Sequence, residues 1–140
     1  MKLSFIAIVV LLLSVSALAQ APTYRVIVHP SNPATSFSRD SLTEAFLKKV
    51  SRWPDGEVIR PVDLRSRSPV RREFAEHVLR RSMAAVRSYW QQLIFSGRNI
   101  PPLELDSDAA VVAYVQKNRG AIGYVSGEAK VDGVKVVSIR

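Results

Sequence analysis

The sequence predicts an α/β fold in which helices pack on a central sheet. Two observations support this prediction. Short segments rich in β-branched residues, such as residues 24–29, are typical of buried strands. Segments with apolar residues at helical spacing lie between them, and strands that alternate with helices usually assemble into one helix-covered sheet. The predicted order is β-α-β-α-α-α-β-β, with no internal repeat and no low-complexity linker.

The first half of the chain should supply two strands and one helix. Residues 24–29 are expected to be the first strand and residues 57–62 the second. The helix between them should begin at Ser38 or Ser41, since either serine can act as its N-cap. Its apolar face would comprise Leu42, Ala45, Phe46 and Val50.

Three helices and two strands are predicted in the second half. Ser68 can cap a helix that starts at Pro69, since proline is tolerated in a first turn. The next helix should end near residues 96–99, because Pro101 and Pro102 cannot continue it. Residues 106–108 should cap a shorter helix, and residues 120–125 and 133–139 should be strands. The apolar stripes of the three helices would be Val70, Phe74 and Val78; Met83, Val86, Trp90 and Leu93; and Val111, Val112 and Val115.

The N-terminus has the pattern of a signal peptide. Lys2 precedes an uncharged apolar run at residues 5–13, and Ala17-Leu18-Ala19 supplies a cleavage site before Gln20. The run is shorter than the roughly 20 residues of a membrane span, although an uncleaved anchor is the alternative. We therefore expect a signal peptide at residues 1–19, an exported chain, and one domain at residues 20–140.

The charge of the chain is strongly positive. Lys and Arg number 20 against 12 Asp and Glu, which gives a formal charge of +8, and there is no cysteine to form a disulfide. Such a balance favours an anionic partner, which would be a small oxyanion, an acidic protein, nucleic acid or a charged envelope surface. Export and the lack of a basic surface interleaved with aromatic residues argue against nucleic acid. A solvated basic helix face is the plain alternative.

Residues 63–74 are the segment most suggestive of a ligand. A helix start at Ser68 and Pro69 would leave the amides of Val70 and Arg71 free for an anion. Arg65 and Arg67 would add charge, Ser66 would add a donor, and the carboxyl end of a strand is where α/β sheets commonly bind ligands. The alternative interpretation is a polar loop with an ordinary helix cap, and for Asp63 a structural ion pair.

No pattern in the sequence indicates catalysis. His29 and His77 are far apart and there is no cysteine, so no zinc spacing is present. The chain also lacks a Gly-x-Ser-x-Gly nucleophile motif and a glycine-rich nucleotide-binding loop. We expect a protein that is not an enzyme and that needs no cofactor or metal.

Several short motifs follow one another in a characteristic order: SRDSLTEAF at 38–46, WPDG at 53–56, RREF at 71–74, YW at 89–90, FSG at 95–97, PP at 101–102 and GAIGY at 120–124. Together they resemble one known family. The chain is similar to the phosphate ABC transporter substrate-binding proteins, which are periplasmic binding proteins of type II architecture, and most similar to short, single-lobe relatives. The resemblance runs from about residue 26 to residue 125, and it implies a single-lobe α/β fold and a periplasmic location.

The resemblance also implies roles for particular residues. In the family a Ser-Gly-Thr loop opens a helix and holds phosphate; here residues 66–68 or residues 68–70 take that place, without the glycine and with Pro69 in the loop. Arg65 or Arg71 would pair with the anion, and Asp63 would accept the proton of hydrogen phosphate. Ser38 matches another position that faces the cleft. The implied anion-binding set is Ser38, Asp63, Arg65, Ser66, Ser68, Val70 and Arg71.

The implied function is a phosphate-binding or oxyanion-binding module, accessory to phosphate ABC transport. A full receptor closes two lobes over its ligand, whereas this chain has residues for one, so a second copy would complete the site in a homodimer. The resemblance also implies an ABC permease as a partner. The alternative is an envelope interaction protein that uses its basic face to dock an anionic partner.

Overall fold

The computed structural model describes residues 23–140, so the predicted signal peptide lies outside the described residues. Within them no helix has the length and apolar character needed to cross a membrane. The strands are β1 (Tyr24–Val28), β2 (Ser36–Phe37), β3 (Arg60–Leu64), β4 (Leu103–Leu105), β5 (Ala121–Ser126) and β6 (Lys135–Ile139). The helices are α1 (Arg39–Phe46), α2 (Pro69–Phe74), α3 (Met83–Phe95) and α4 (Asp108–Lys117), and a π-helical turn (Ala75–Leu79) continues α2.

The strands form one sheet in the order β2-β6-β1-β5-β3-β4. β1 is antiparallel to β5 and β6, whereas β3 is parallel to both β5 and β4, and β2 is parallel to β6. Every strand except β1 therefore points the same way. Their carboxyl ends share one edge of the sheet, and the loops that follow β2, β3 and β4 lead from that edge into α1, α2 and α4.

Helices cover both faces of the sheet. Tyr124 of β5 packs against Phe74 of α2, with their rings stacked at 4.0 Å, and Phe46 of α1 lies 4.8 Å from Phe74. The neighbouring residue, Gly123, faces the opposite side of the sheet, because successive residues of a strand alternate between the two faces. There it meets Val111 of α4. The core is thus a three-layer arrangement with the sheet in the middle.

The predicted α/β fold with helices packed on a sheet is confirmed. Its details differ at several places. The helix α1 ends at Phe46, so Val50, predicted on its apolar face, lies outside the helix and is exposed. The short strands β2 and β4 were not predicted, and β3 covers Arg60–Leu64 rather than residues 57–62. The helix that begins at Pro69 changes to π geometry at Ala75, and it ends at Arg80, which adopts a left-handed conformation with φ 54°. Of the stripe predicted on α3, only Val86 and Trp90 are buried.

Candidate functional site

A surface cleft of about 630 Å³ lies where β3 and β4 end and where α2 and α4 begin. Because the two strands are parallel neighbours, the loops that leave them meet at the same edge of the sheet. Both loops are polar, so the cleft combines charged side chains with hydroxyl groups. It is lined by Leu64, Arg65, Arg67, Ser68, Pro69, Val70, Asp106, Ser107 and Asp108.

Two capped helix starts form the floor of this cleft. Ser68 is extended (φ −66°, ψ 126°), and its hydroxyl accepts a 3.3 Å hydrogen bond from the amide of Arg71. Ser107 caps α4 in the same way, by accepting a 3.1 Å bond from the amide of Ala110. The amide of Val70 lies in the first turn of α2, where a helix offers no carbonyl to receive it. That donor therefore has no acceptor within the helix, and Val70 lines the cleft.

The charges in the cleft are unequally compensated. Arg65 pairs with Asp106, and this hydrogen bond lowers the pKa of Asp106 and raises that of Arg65. The carboxylate of Asp108 accepts bonds from the amide and the hydroxyl of Ser126, at 3.1 and 2.6 Å. Among the described carboxylates, none lies within 4.0 Å of the guanidinium of Arg67. Arg67 thus forms no close ion pair with these carboxylates, although its charge contributes to the lowered pKa of Asp106, and its guanidinium can still donate to a small anion.

Asp63 and Arg71 lie beneath the cleft in a buried polar network. The guanidinium of Arg71 donates to the carbonyl of Leu64 at 2.9 Å and to Glu104 at 2.7 Å, and its other terminal nitrogen is 3.6 Å from Asp63. The hydroxyl of Tyr124 donates to Asp63 at 2.8 Å. Arg71 and Asp63 expose only 8% and 10% of their side chains. The structure therefore matches the structural ion pair that was the alternative for Asp63.

Burial dominates the electrostatics of this network. It raises the pKa of Asp63, against the lowering effects of Arg71 and of the bond from Tyr124. It also raises the pKa of Tyr124, and the neighbouring Asp63 carboxylate adds to that effect. Burial lowers the pKa of Arg71, but the charge of Asp63 and the bond to Glu104 outweigh it, so the net shift is upward. The contacts of this network join α2, β3 and β4.

The other predicted site residues lie apart from the cleft. Ser66 lines a groove beside α3, together with Arg71 and Trp90. Ser38 follows β2 and caps α1, where it accepts a 3.1 Å bond from the amide of Ser41. It shares the carboxyl edge with the cleft, but β2 and β3 are four strand spacings apart, about 19 Å.

The structure thus brings together three of the predicted residues, namely Arg65, Ser68 and Val70. Sequence reasoning placed Asp106 and Asp108 only at a helix cap and did not connect them with the residues after β3. The signal that could have found them is their position directly after a strand, since parallel neighbours end at one edge. The described residues contain no group of three His, Asp or Glu side chains placed to hold a metal.

Comparison with solved structures shows what this arrangement is similar to. An ABC-type phosphate transport receptor from Vibrio cholerae superposes with a TM-score of 0.66 at 19% identity, over 84% of this chain and 46% of the receptor. A protein from Clostridium perfringens, described as a phosphate ABC transporter substrate-binding protein with bound phosphate, gives 0.66 at 21% identity, over 84% and 44%. The chain has the fold of phosphate-transport receptors. PstS from Borrelia burgdorferi agrees, with a TM-score of 0.64 at 12% identity, over 84% and 47%.

The predicted resemblance is therefore confirmed as a likeness of fold. The chain spans less than half the length of each of these receptors, so it corresponds to a single lobe of their type II periplasmic-binding-protein architecture. No family model matches the sequence, and no curated protein matches it.

Proposed function

We propose that this chain is an exported binding module for phosphate or a similar small oxyanion, and that the anion binds in the cleft at the start of α2. The observation that supports this most is the position of Arg67. Its guanidinium forms no close ion pair with a described carboxylate, and it lines the cleft together with Ser68, whose hydroxyl can donate, and Val70, whose amide lies in the first turn of α2. Charge-assisted hydrogen bonds from such groups are the ones that hold an oxyanion most strongly.

The buried network supports this site from below. Arg71, Asp63 and Glu104 hold α2, β3 and β4 in a fixed relation, so the donors of the cleft are ordered before an anion arrives. In this proposal Arg65 has two acceptors available, Asp106 and the ligand. Ser38, Ser66, Asp63 and Arg71 do not contact the anion.

A single lobe should bind weakly. Two or three charge-assisted hydrogen bonds contribute about 1.5–3 kcal/mol each, and association costs at least about 4 kcal/mol in lost freedom. The surplus corresponds to a dissociation constant near 1 mM. An open site also lacks the low dielectric that strengthens each contact. A second copy that closed over the cleft would supply the missing lobe and bring the constant into the micromolar range.

The deciding experiment is a phosphate titration of the predicted mature chain, residues 20–140, followed by NMR of the backbone amides. We expect the Val70 amide to shift, and Arg67→Gln to weaken binding about tenfold or more through the loss of one charge-assisted bond. Lys130→Gln, which removes an exposed charge outside the cleft, should leave binding within about twofold. The absence of amide shifts at phosphate concentrations well above the expected constant would overturn the proposal.

The same sample tests the proposed homodimer. Sedimentation with and without phosphate should show a monomer that doubles in mass when phosphate is added, if a second copy closes the site. A monomer that binds phosphate at a millimolar constant would contradict the dimer and leave the binding proposal intact. Export at a signal peptide of residues 1–19 and delivery to an ABC permease complete the proposed role. N-terminal mass determination of the secreted chain should place the cut before Gln20.

A further inference from the structure

Four large apolar side chains are exposed close together at the end of α3 and on the way into β4. Phe95 exposes 89% of its surface and Ile100 exposes 67%, while Leu103 exposes 50% and Ile94 exposes 49%. A single exposed apolar residue is ordinary, but four within ten positions of one segment indicate an interaction surface. We call residues 94–103 the α3 tip.

The exposure of the α3 tip follows from the way in which α3 packs and ends. Only Val86 and Trp90 of α3 are buried, so its last turn extends past the core. The chain then turns tightly, since the amide of Arg98 donates to the carbonyl of Leu93 at 2.9 Å. Gly97 provides the positive φ of 65° that this turn requires. The apolar side chains are therefore held outward by an ordered turn.

Two positive charges lie at or beside the α3 tip. Arg98 is its charged residue, and residues 94–103 contain no acidic residue. Arg87 of α3 lines the same groove as Ile94, so a second positive charge lies beside the tip. The next carboxylate along the chain, Glu104, is already bound to Arg71. A second copy would bring the same arginines to the contact, so an anionic partner fits this surface better than self-association.

We propose that the α3 tip docks this protein on an anionic lipid membrane. Phe95 and Ile100 would enter the boundary between headgroups and acyl chains, and Arg87 and Arg98 would bind lipid phosphates. A lipid surface fits better than an acidic protein. Phe95, which is 89% exposed, can enter a fluid lipid boundary without a matching pocket on the partner.

The α3 tip lies beside the oxyanion cleft. The tip leads into β4 at Leu103, and the cleft begins after Leu105, at the other end of this three-residue strand. Ser66, between the cleft residues Arg65 and Arg67, lines the same groove as Ile94 and Pro101. No residue of the tip lines the cleft, so the variants Phe95→Ser and Arg67→Gln test the two sites separately.

Flotation with lipid vesicles tests the proposal directly. The chain of residues 20–140 should bind vesicles of phosphatidylglycerol and phosphatidylethanolamine, and binding should weaken as salt is added. Phe95→Ser should lower the partition coefficient about tenfold. The matched control Val136→Ser, at a side chain that is 43% exposed on β6, should change it by less than about twofold. Arg98→Gln should weaken binding more than Lys130→Gln does.

Two results would overturn the proposal. One is no binding to the anionic vesicles at low salt, which would leave an acidic protein as the partner of the α3 tip. The other is an equal loss in the Phe95 and Val136 variants. Circular dichroism should show every variant folded, since Phe95 makes almost no packing contact. Phosphate titration of Phe95→Ser should match the unsubstituted chain, so failure of this proposal is distinguishable from failure of the cleft.

Discussion

The guanidinium of Arg71 lies 2.7 Å from the carboxylate of Glu104, and this bond joins the first turns of α2 to the strand β4. The same nitrogen donates to the carbonyl of Leu64, the last residue of β3. One side chain therefore fixes the relative positions of three elements that surround the cleft. Its role is to order the site from beneath.

Removing Arg71 should destabilise the whole fold. Arg71→Met leaves the buried carboxylate of Asp63 and the carbonyl of Leu64 with unmet hydrogen-bonding needs, and we expect a loss of about 3 kcal/mol in the free energy of unfolding. Urea denaturation measures it. Arg72→Met, at the exposed neighbouring position, should lose less than about 0.5 kcal/mol. Equal losses in the two variants would show that the buried network does not stabilise the fold.

Asp63 should give the stability a distinctive pH dependence. Burial raises its pKa above the ordinary value of 3.8, so the folded state binds the proton more tightly than the unfolded state. This contribution to stability is complete below the unfolded pKa, and it is lost as the pH rises through the raised folded pKa. Urea unfolding of the unsubstituted chain and of Asp63→Asn from acid to neutral pH should therefore show the unsubstituted chain losing stability relative to the variant as pH rises. The opposite trend would mean that the charge of Arg71 outweighs burial.

Helix starts were the part of this structure that the sequence predicted best. Ser38 and Ser68 cap α1 and α2 as expected, because capping depends on a few consecutive residues. The short strands were missed for the opposite reason. β2 has two residues and β4 has three, and strands of that length form only because a neighbour in the sheet receives them.

The roles of the residues in the candidate site were only partly predictable, because several of these residues are of the same type. Arg65, Arg67 and Arg71 have the same chemistry, and of the three only Arg71 is buried. One local signal was present, since Arg71 precedes Phe74 by three positions and Val78 by seven, which puts it on the buried face of the helix. No local signal showed that Tyr124, some sixty residues away, would donate to Asp63.

Packing between β5 and α4 depends on the absence of a side chain at residue 123. A Cβ added to Gly123 would lie 2.7 Å from Val111 and 2.9 Å from Val62, so Gly123→Ala should destabilise the chain by about 1–3 kcal/mol. Thermal unfolding measures the loss. The double variant Gly123→Ala/Val111→Ala should lose less stability than the sum of the losses in the two single variants. The reason is that alanine at position 111 makes room for the new methyl group at position 123. Strict additivity would contradict this packing.

The most direct test of the oxyanion cleft compares two serine caps. Ser68 and Ser82 each accept a bond from a helix amide, at 3.3 and 3.1 Å, but only Ser68 lines the cleft. Ser68→Ala and Ser82→Ala should each lose about 1 kcal/mol of stability. In a phosphate titration, Ser68→Ala should bind about tenfold more weakly, through the loss of one hydrogen bond to the anion. Ser82→Ala should bind like the unsubstituted chain. Equal phosphate affinity in the two variants would contradict the assignment of the cleft.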